Sequence, residues 1–347
     1  MSEDEIKQRK IDHVRICLDT ESQLVRGHPS PASFDGYWFE HDALPEIALE
    51  DVDLSVEFFG KRLRAPILVS SMTGGVEEGA RINRHLAEGV ARAGLGMGVG
   101  SQRIALLHPE ARASFVVRDV APDILLFANL GAVQLNHGFT EREAMAAVEM
   151  IGADGLFLHL NPLQEAVQPG GDTNFRGLLG QIEALVNAVP FPVLIKEVGA
   201  GIGRRQCRAL WDHGVAAIDV SGTGGTSWAK VEGLRARDPM AAALGETFKG
   251  WGIPTPIAIR DAREAVPEAV LIASGGIRSG LDVAKALALG ADVVSLAQPA
   301  LAAALESGAA VEQVLARIVA ELKVACFCVG ARSIPELRAK AVLRAEF

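Results

Sequence analysis

The chain has 347 residues, 49% of them hydrophobic, so it can bury one large core or two moderate ones. Its formal net charge of −9, with lysines and arginines scattered along the chain, argues against a nucleic-acid partner and against an anionic membrane surface. The sequence opens without a basic and apolar leader and has no run near the roughly 18 apolar residues that span a bilayer, so we expect a cytoplasmic protein with no membrane partner.

The first 64 residues do not fit the pattern that follows them. They include a charged segment, residues 7–13, and continue as chain that contains glycines and prolines. We interpret residues 1–64 as an N-terminal arm that lies against the main body of the protein and completes its active site.

Short apolar runs recur after the arm with the spacing of βα units. They predict eight strands, at residues 66–70, 95–99, 124–128, 155–159, 193–196, 217–221, 269–273 and 292–296. Alanine-rich segments of helical period lie between most of them, for example at residues 80–93, 141–150, 175–189 and 281–289. Continuous apolar strands alternating with amphipathic helices indicate a parallel sheet covered on its faces, and eight units indicate closure. We predict a single (β/α)8 TIM-barrel domain, with the barrel and C-terminal helices in residues 65–347; a doubly wound sheet is the alternative.

The connection after the sixth predicted strand is long. It runs from Gly222 to about Pro256, whereas βα loops typically have about two to six residues. Long loops on the active face of a barrel often act as lids. We therefore expect a long loop after the sixth strand.

Hydrogen-bonding or glycine-rich chain follows every predicted strand. The fourth strand ends in His159, Asn161, Gln164 and Glu165, and the fifth ends in Lys196. In parallel barrels the carboxyl ends of the strands carry the chemistry, while the strand interiors supply stability. These side chains predict a site for a metal ion or an anion. Taken alone, the lysine fits a salt bridge to a neighbouring carboxylate equally well.

The seventh and eighth units carry the sharpest motif, at residues 274–280 and 297–299. Each segment precedes a predicted helix, the first of which begins near Asp282, so that backbone N–H groups and helix N-termini point at one spot. Barrels often hold a phosphate at this place, and we predict a phosphate site there. In the structural alternative, Gly275 and Gly276 only make a tight turn and Ser279 only caps the helix.

Eight motifs are spread over nearly the whole chain. They are Arg9-Lys10-x-x-His13, Ser71-Met-Thr-Gly-Gly75, Gly100-Ser-Gln-Arg103, Asn129-Leu-Gly131, His159-x-Asn161-x-x-Gln164-Glu165, Lys196-Glu-Val-Gly199, Ser221-Gly-x-Gly-Gly-Thr-Ser-Trp228 and Ser274-Gly-Gly-Ile-Arg278. Together they resemble the type 2 isopentenyl-diphosphate isomerases. The resemblance implies an FMN-dependent barrel that interconverts isopentenyl and dimethylallyl diphosphate, with Mg²⁺ and with a flavin that NADPH keeps reduced. It also implies a symmetric homo-tetramer or homo-octamer.

The resemblance places the flavin along part of the barrel mouth. The residues implied to contact its isoalloxazine ring are Ser71, Met72, Thr73, Ser101 and Asn129. Lys196 is implied to face the N1–C2=O side of the ring, where reduction places negative charge. The residues implied to hold the ribityl phosphate are Ser221, Thr226, Gly275, Gly276, Ile277, Ala297 and Gln298. This set coincides with the phosphate site predicted from the glycine turns.

The resemblance also assigns a substrate side. The residues implied to grip the diphosphate are Arg9, Lys10, His13, Ser101, Gln102 and Arg103, and arginine suits a phosphate because its planar fork gives two directed hydrogen bonds. His159, Asn161 and Gln164 are implied to line the pocket, and Glu165 to hold Mg²⁺, which needs few protein carboxylates. Gln164 and Glu232 are candidates for relaying protons beside the flavin, and His159 is a third catalytic candidate.

One position departs from the family's pattern. Members often carry a glutamate before the Gly-Asp step that ends at Asp172 in this chain, and Gly170 stands there instead. Support of the metal by this loop is therefore an open question.

The main alternative function is that of an FMN-dependent 2-hydroxy-acid oxidase or dehydrogenase. Those enzymes look to use active-site tyrosines and a late histidine, whereas Tyr37 is the sole tyrosine here and no histidine follows His213. A barrel of the inosine-monophosphate dehydrogenase type needs a cysteine after the sixth strand, and residues 221–228 contain none. A flavin- or phosphate-binding barrel without activity does not need a second cationic site, which Arg9 and Arg103 supply here.

Overall fold

Eight parallel strands form a closed barrel in the computed structural model, which describes residues 3–23, 33–340 and 342–345. The barrel strands are β1 (Ile67–Val69), β2 (Gly96–Gly98), β3 (Leu125–Gly131), β4 (Gly155–Leu160), β5 (Val193–Glu197), β6 (Ala217–Asp219), β7 (Leu271–Ala273) and β8 (Val293–Leu296). Each strand pairs with the next, and β8 returns to β1, where Ser295 lies opposite Leu68. The predicted barrel and its eight predicted strands are confirmed.

Helices follow the strands around the outside of the barrel. In the described part of the chain they are α1 (Glu3–Leu18), α2 (Glu77–Ala93), α3 (Arg103–Leu107), α4 (Glu141–Ile151), α5 (Pro162–Val167), α6 (Leu178–Ala188), α7 (Arg204–Asp212), α8 (Trp228–Arg235), α9 (Pro239–Thr247), α10 (Thr255–Ala265), α11 (Gly280–Ala288), α12 (Gln298–Ala304), α13 (Gly308–Cys328) and α14 (Ile334–Ala339). Local sequence explains their ends. At α4, for example, Thr140 and Glu143 form a capping box, and Gly152 ends the helix with a φ of 59°.

The barrel is filled at its amino-terminal end. A hairpin, Val56–Phe58 with Lys61–Leu63, lies there and adds aromatic rings to those of the strands. The ring of Phe127 stands 5.9 Å from that of Phe59 and 5.0 Å from that of Phe157, edge to face in both pairs. A second, larger apolar layer packs the helices against the outside of the sheet. Because this end is packed with side chains, open space is left towards the carboxyl ends of the strands.

The long connection after β6 is present and contains two short helices. Helices α8 and α9 occupy most of residues 222–256 and pack against each other. Helix α8 also contacts α1 of the arm and α5, which follows β4. Ser227 and Asp238 cap these two helices.

The arm contacts the barrel at more than one place. Helix α1 lies against α8 and α12, and the strand Tyr37–Phe39 pairs antiparallel with Leu343–Ala345 near the end of the chain. The division of the chain at residue 64 stays a prediction. Among the described residues, no helix combines the length and the apolar character that crossing a bilayer requires.

Candidate active site

A cavity of about 600 Å³ opens at the carboxyl ends of the barrel strands, and α1 of the arm forms part of its wall. The residues of the predicted site that line it are Arg9, Lys10, His13, Ser71, Met72, Thr73, Ser101, Arg103, Asn129, His159, Asn161, Gln164, Glu165, Lys196, Ser221, Thr226, Gly275, Gly276, Ile277, Ala297 and Gln298. Gln102 and Glu232 are not among the lining residues. The structure therefore brings most of the predicted residues to one space.

The glycine turns after β6 and β7 form one side of the cavity, which we call the glycine rim (residues 222–226 and 274–278). They approach so closely that a Cβ atom on Gly275 would overlap the carbonyl oxygen of Gly222, and one on Gly276 would overlap that of Gly224. Gly275 and Gly276 also have φ values of 103° and 75°, which favour glycine. Backbone rather than side chains therefore faces the cavity here, as a phosphate cradle requires.

One part of the predicted phosphate site needs correction. Ser279 caps α11 by accepting a hydrogen bond from the Asp282 N–H at 3.2 Å, and the Gly280 N–H donates to a carboxylate oxygen of Glu321 at 2.7 Å. The first turn of α11 thus finds partners within the protein. The prediction that the N-terminus of α11 contributes to the phosphate site is therefore wrong. The glycine rim and the start of α12 remain as the candidate phosphate-binding segments.

Lys196 supplies a buried cation beside the glycine rim. Its ammonium donates to the carbonyl oxygen of Glu197 at 2.8 Å, and burial lowers its pKa, against the opposing effect of the charges on Asp219 and Glu197. The Glu197 carboxylate instead accepts hydrogen bonds from the backbone N–H groups of residues 198–201. The alternative of a simple salt bridge to that carboxylate is therefore not what the structure contains.

His159 is a neutral imidazole in this site. Its Nδ1 lies 2.8 Å from Oδ1 of Asn129, and since a carboxamide oxygen only accepts, Nδ1 donates. Burial, followed by the charges of Lys196 and Lys10, lowers the pKa of His159 to about 3. At neutral pH this side chain therefore offers Nε2 as an acceptor.

A hydrogen-bonded chain of seven side chains runs along the other side of the cavity, and we call it the polar network. Its members are His13, Glu232, Gln164, Asn161, Glu165, Asp172 and Arg103. They come from the arm, α8, the end of β4, α5, the loop after α5 and α3. Elements far apart in sequence are thus joined at one surface.

Glu232 is the buried centre of this network. Its Oε1 accepts from Nε2 of Gln164 at 2.9 Å and lies 3.0 Å from Nε2 of His13, and its Oε2 accepts two bonds from Arg235, at 2.8 and 3.1 Å. Burial alone would raise the pKa of Glu232. The hydrogen bond from His13, the charge of His13 and the hydrogen bond from Gln164 outweigh this effect and lower the pKa to about 2. Glu232 is therefore ionised at neutral pH and lies behind the cavity wall, in contact with His13 and Gln164, which line the cavity.

The network continues to the candidate metal ligand. Asn161 Nδ2 donates to Gln164 Oε1 at 3.1 Å and to Glu165 Oε1 at 2.8 Å. The other oxygen of Glu165 accepts the backbone N–H of Asp172 at 2.7 Å, and the Asp172 carboxylate accepts from Nη1 of Arg103 at 2.7 Å. The carboxylate of Glu165 is held at both oxygens, and the neighbouring guanidinium is held by the same loop.

Arg9 and Lys10 bring positive charge from the arm. Arg9 Nη1 donates to Gln168 Oε1 at 3.1 Å, and Lys10 Nζ donates to the carbonyl oxygen of Ser101 at 3.4 Å and lies 5.7 Å from the ring centre of Phe115. Burial, followed by the charge of Arg9, lowers the pKa of Lys10 to about 7. The arm therefore places two basic side chains in the same cavity that the Ser101 turn lines.

The prediction that Gln102 grips the substrate needs correction. Its side chain is fully buried, donates to the carbonyl oxygen of Ala147 at 2.8 Å and accepts the N–H of Asn129 at 3.0 Å. It fixes β3 and α4 relative to the Ser101 turn and does not face the cavity.

Two buried oxygen atoms at the site have no hydrogen-bond partner among the described residues. They are Ser71 Oγ and Asn161 Oδ1. Ser71 follows β1 and lines the cavity, so it suits the polar edge of a planar cofactor, and Asn161 Oδ1 beside Glu165 suits a hard cation. No group of three or more metal-ligating side chains occurs in the part of the chain that the structure describes.

Sequence reasoning missed Arg235, Gln134 and Gln168. Arg235 clamps Glu232, Gln134 donates to Asp172 at 3.0 Å, and Gln168 accepts from Arg9. The spacing of Glu232 and Arg235, three residues apart on one helix, was a usable signal for the first of these. Gln134 lies in the 3-10 helix Ala132–His137 and Gln168 follows α5, and neither position has a distinguishing sequence pattern.

The comparisons with known proteins agree with this geometry. A family model described as FMN-dependent dehydrogenase matches residues 161–344, just over half of the chain. Among solved structures, a lactate oxidase of Pediococcus acidilactici aligns with a TM-score of 0.67 and 18% identity, over 99% of this chain and 94% of that one. A mandelate oxidase aligns with a TM-score of 0.64, over 100% of this chain and 98% of that one, also at 18% identity. These similarities define the class: an FMN-dependent dehydrogenase-like barrel.

Curated relatives narrow the class. Proteins named isopentenyl-diphosphate delta-isomerase are 50% identical in Synechococcus sp., over 99% of this chain and 98% of that one, and 50% identical in Stutzerimonas stutzeri, over 99% of both. One from Deinococcus radiodurans is 48% identical, over 96% of this chain and 97% of that one. The chain belongs to the isopentenyl-diphosphate delta-isomerase family, and the resemblance predicted from its motifs is confirmed.

Proposed function

We propose that this protein interconverts isopentenyl and dimethylallyl diphosphate by a 1,3-allylic proton transfer, with FMN and Mg²⁺ as cofactors. One observation carries the proposal. A single cavity joins a glycine rim with a buried cation, Lys196, to a polar side with two arm cations and the Glu165 carboxylate. The first part suits a flavin with its phosphate, and the second suits a diphosphate with its metal. The names of the full-length relatives support the same assignment.

The diphosphate is proposed to bind between the arm and the Ser101 turn. Arg9, Lys10 and Arg103 line this part of the cavity and supply directed donors with positive charge. His13 stands edge to face against Trp228, with ring centres 5.0 Å apart, so its position is fixed by packing. These side chains hold the charged end of the substrate and leave its alkene towards the part of the cavity lined by Ser71, Met72 and Lys196, where the flavin ring is proposed to lie.

Mg²⁺ is proposed to bind at Glu165. Both carboxylate oxygens of Glu165 already have a protein donor, which fixes its orientation and leaves further lone pairs for the ion. Asn161 Oδ1 is the nearest additional oxygen in need of a partner. The remaining ligands would be waters and substrate oxygens, as Mg²⁺ prefers.

FMN supplies, when bound and reduced, the acid–base group and the electron-rich ring beside the alkene. The chain's own residues orient it and set the charge around it. Lys196 keeps a cation at the barrel mouth, Ser71 offers a hydroxyl, and the glycine rim accommodates the phosphate. Helix α1 covers the cavity from outside and limits the access of water to the reacting carbon atoms.

The proton-handling residues are proposed to act mainly by orientation. His159 is neutral and Glu232 is ionised, so neither holds a transferable proton of suitable strength at neutral pH. Glu232 fixes the amide of Gln164 and the ring of His13 in one arrangement. Gln164 then presents its carboxamide to the substrate at the cavity wall. Gln164 is therefore proposed to contact the substrate directly. Glu232 is proposed to act on the substrate only through Gln164 and His13.

Two further assignments rest on the resemblance alone. They are NADPH as the source of electrons for the flavin and a homo-tetramer or homo-octamer. A cytoplasmic location rests on the sequence features given above. Light scattering of the purified protein after size-exclusion chromatography measures the number of subunits directly.

An anaerobic assay tests the proposed function. The purified protein is loaded with FMN, reduced with NADPH in the presence of Mg²⁺, and given isopentenyl diphosphate. Dimethylallyl diphosphate is the expected product. If none forms while the absorption spectrum shows bound and reduced flavin, the proposal is wrong.

The same preparation tests the alternative of a 2-hydroxy-acid oxidase. Lactate and mandelate are added to the oxidised protein, and bleaching of the flavin is followed. We expect no bleaching, because the sole tyrosine, Tyr37, lies on the arm strand and does not line the cavity. Rapid bleaching would favour the oxidase.

A further inference from the structure

Asp172 occupies a special position in the polar network. Its backbone N–H donates to Glu165 at 2.7 Å, and its carboxylate accepts from Arg103 at 2.7 Å and from Gln134 at 3.0 Å. His137 lies 3.8 Å from the same carboxylate. One residue therefore touches both the proposed Mg²⁺ ligand and a proposed diphosphate ligand.

The loop that carries Asp172 is pressed against α5. A Cβ atom on Gly171 would overlap the carbonyl oxygen of Glu165, so only glycine permits this close approach. Gly170 has a φ of 71° and nothing within 4 Å of its Cβ position. Gly170 lines the cavity but carries no side chain, so in this chain the contact of the loop with Glu165 is made by residue 172.

We propose that Asp172 is a positioning residue that couples the binding of Mg²⁺ at Glu165 to the binding of the diphosphate at Arg103. This inference rests on the proposed function. Asp172 holds Glu165 and Arg103 at a fixed separation. When either Mg²⁺ or the diphosphate is bound, the side chain that binds the other is already in position.

The physical basis is preorganisation. The Arg103 side chain is 43% exposed, and a long exposed side chain loses rotamer freedom when it binds. Asp172 restricts that freedom before the ligand arrives, which lowers the entropic cost of binding. Because Gln134 holds the Asp172 carboxylate from a second direction, the tether itself stays in place when Arg103 turns to a phosphate.

The test compares Asp172→Asn with Asp154→Asn. Asp154 is a matched control: its side chain is 24% exposed against 22% for Asp172, and it also pairs with an arginine, Arg118, and accepts one backbone N–H. It lies at the start of β4, outside the cavity. Calorimetry of the FMN-loaded full chain measures the affinity for inorganic pyrophosphate at several Mg²⁺ concentrations.

We expect Asp172→Asn to weaken pyrophosphate binding in Mg²⁺ by roughly five- to tenfold, a range typical of a lost charged contact that is partly exposed. The Mg²⁺ concentration for half-maximal binding should rise with it. With isopentenyl diphosphate, KM should rise by a similar factor while kcat stays within about twofold. FMN affinity and Tm should match those of Asp154→Asn.

Two results would overturn the inference. One is equal pyrophosphate binding by the two variants. The other is tighter binding by Asp172→Asn, which would mean that the aspartate competes with the ligand for Arg103. Neither result bears on the isomerase assay of the unaltered protein, so failure of the proposed function is recognised separately.

A double-mutant cycle isolates the path through Arg103. In an Arg103→Gln background, Asp172→Asn should change pyrophosphate affinity by less than about twofold, because the tethered side chain is gone. An undiminished effect in that background would show that Asp172 acts without Arg103, against the proposed coupling.

Discussion

The glycine rim and the polar network face each other across one cavity but are built in different ways. In the glycine rim, backbone atoms of two neighbouring strand ends meet, and the sequence needs only small residues at fixed offsets. In the polar network, seven side chains from six segments must meet end to end. The glycine rim depends on the strand order alone. The polar network depends on how the arm and several helices pack on the barrel.

The similarity to the broader class covers both constructions only in part. The family model for FMN-dependent dehydrogenases matches residues 161–344, which include the whole glycine rim and five of the seven members of the polar network. It leaves out the arm with Arg9, Lys10 and His13 and the turn with Arg103. Because the glycine rim is proposed to hold the flavin phosphate and the polar network the substrate, changes on the two sides should affect different ligands.

The largest effect is expected from Glu232→Gln. All four hydrogen bonds at Glu232 come to its two oxygens, and an amide can keep only part of them and carries no charge for Arg235. We expect kcat to fall by about 100-fold, because Gln164 and His13 lose their common support. FMN affinity, measured by fluorescence titration, should stay within about twofold.

Glu246→Gln is the control for this change, since Glu246 is also ion-paired but lies at the surface, outside the cavity. It should leave kcat unaltered. A Glu232→Gln variant that loses FMN and activity together would contradict the separation of the two sides.

The two sides also differ in how far the sequence predicts them. The position of the glycine rim could be predicted from the sequence. The eight predicted strands are apolar runs whose carboxyl ends must meet in a barrel, and the pair Gly275-Gly276 after the seventh is a recognisable turn motif. The partners of Glu232 could not be located in this way. The contact of His13 with Glu232 joins residues 219 positions apart, and it depends on how α1 packs on α8. The same dependence on tertiary packing explains why Gln102, in a motif with Arg103, turns inwards.

The second prediction acts on the glycine rim. Gly276→Ala forces a methyl group onto the carbonyl oxygen of Gly224 and strains a φ of 75°. We expect FMN affinity to fall by roughly 10- to 100-fold in fluorescence titration. Pyrophosphate binding in calorimetry should change by less than about twofold.

Gly177→Ala controls for the backbone strain of that substitution. Gly177 has a φ of 64° but nothing within 4 Å of its Cβ position, so it carries the strain without the overlap. It should leave FMN affinity unaltered. If both glycine variants lost FMN equally, the close approach of the two turns would not be the cause.

A third, smaller effect concerns pH and the arm. Burial lowers the pKa of Lys10 from an ordinary value of 10.5 to about 7, so the free protein loses this cation as the pH rises through 7. A bound diphosphate favours the charged ammonium, and binding then takes up a proton. We expect pyrophosphate affinity to fall by up to about tenfold per pH unit above 7. Lys10→Met should remove that part of the slope.

The sign for stability is the opposite one. The folded pKa of Lys10 lies below the unfolded value, so between about pH 7 and 10.5 the unfolded chain binds more protons than the folded one. The lysine therefore contributes a rise in the stability of the ligand-free protein with pH over that window. Thermal unfolding of Lys10→Met and of the unaltered chain at pH 7 and 9 measures this, and a slope that is the same in both would show that Lys10 is not buried as described.

The smallest effect is expected from Tyr37→Phe. This variant tests whether the tyrosine hydroxyl takes part in the reaction, as the alternative oxidase function would require. The solved structures with this fold include mandelate oxidases, and the alternative function of a 2-hydroxy-acid oxidase would call for an active-site tyrosine. Tyr37 is 3% exposed, lies on a strand that pairs with Leu343–Ala345 and does not line the cavity. Loss of its hydroxyl should therefore change the isomerase kcat and KM by less than about twofold, with at most a small fall in Tm. A fall in kcat of tenfold or more at unaltered Tm would mean that Tyr37 reaches the substrate, and the polar network would then not be the complete substrate side of the site.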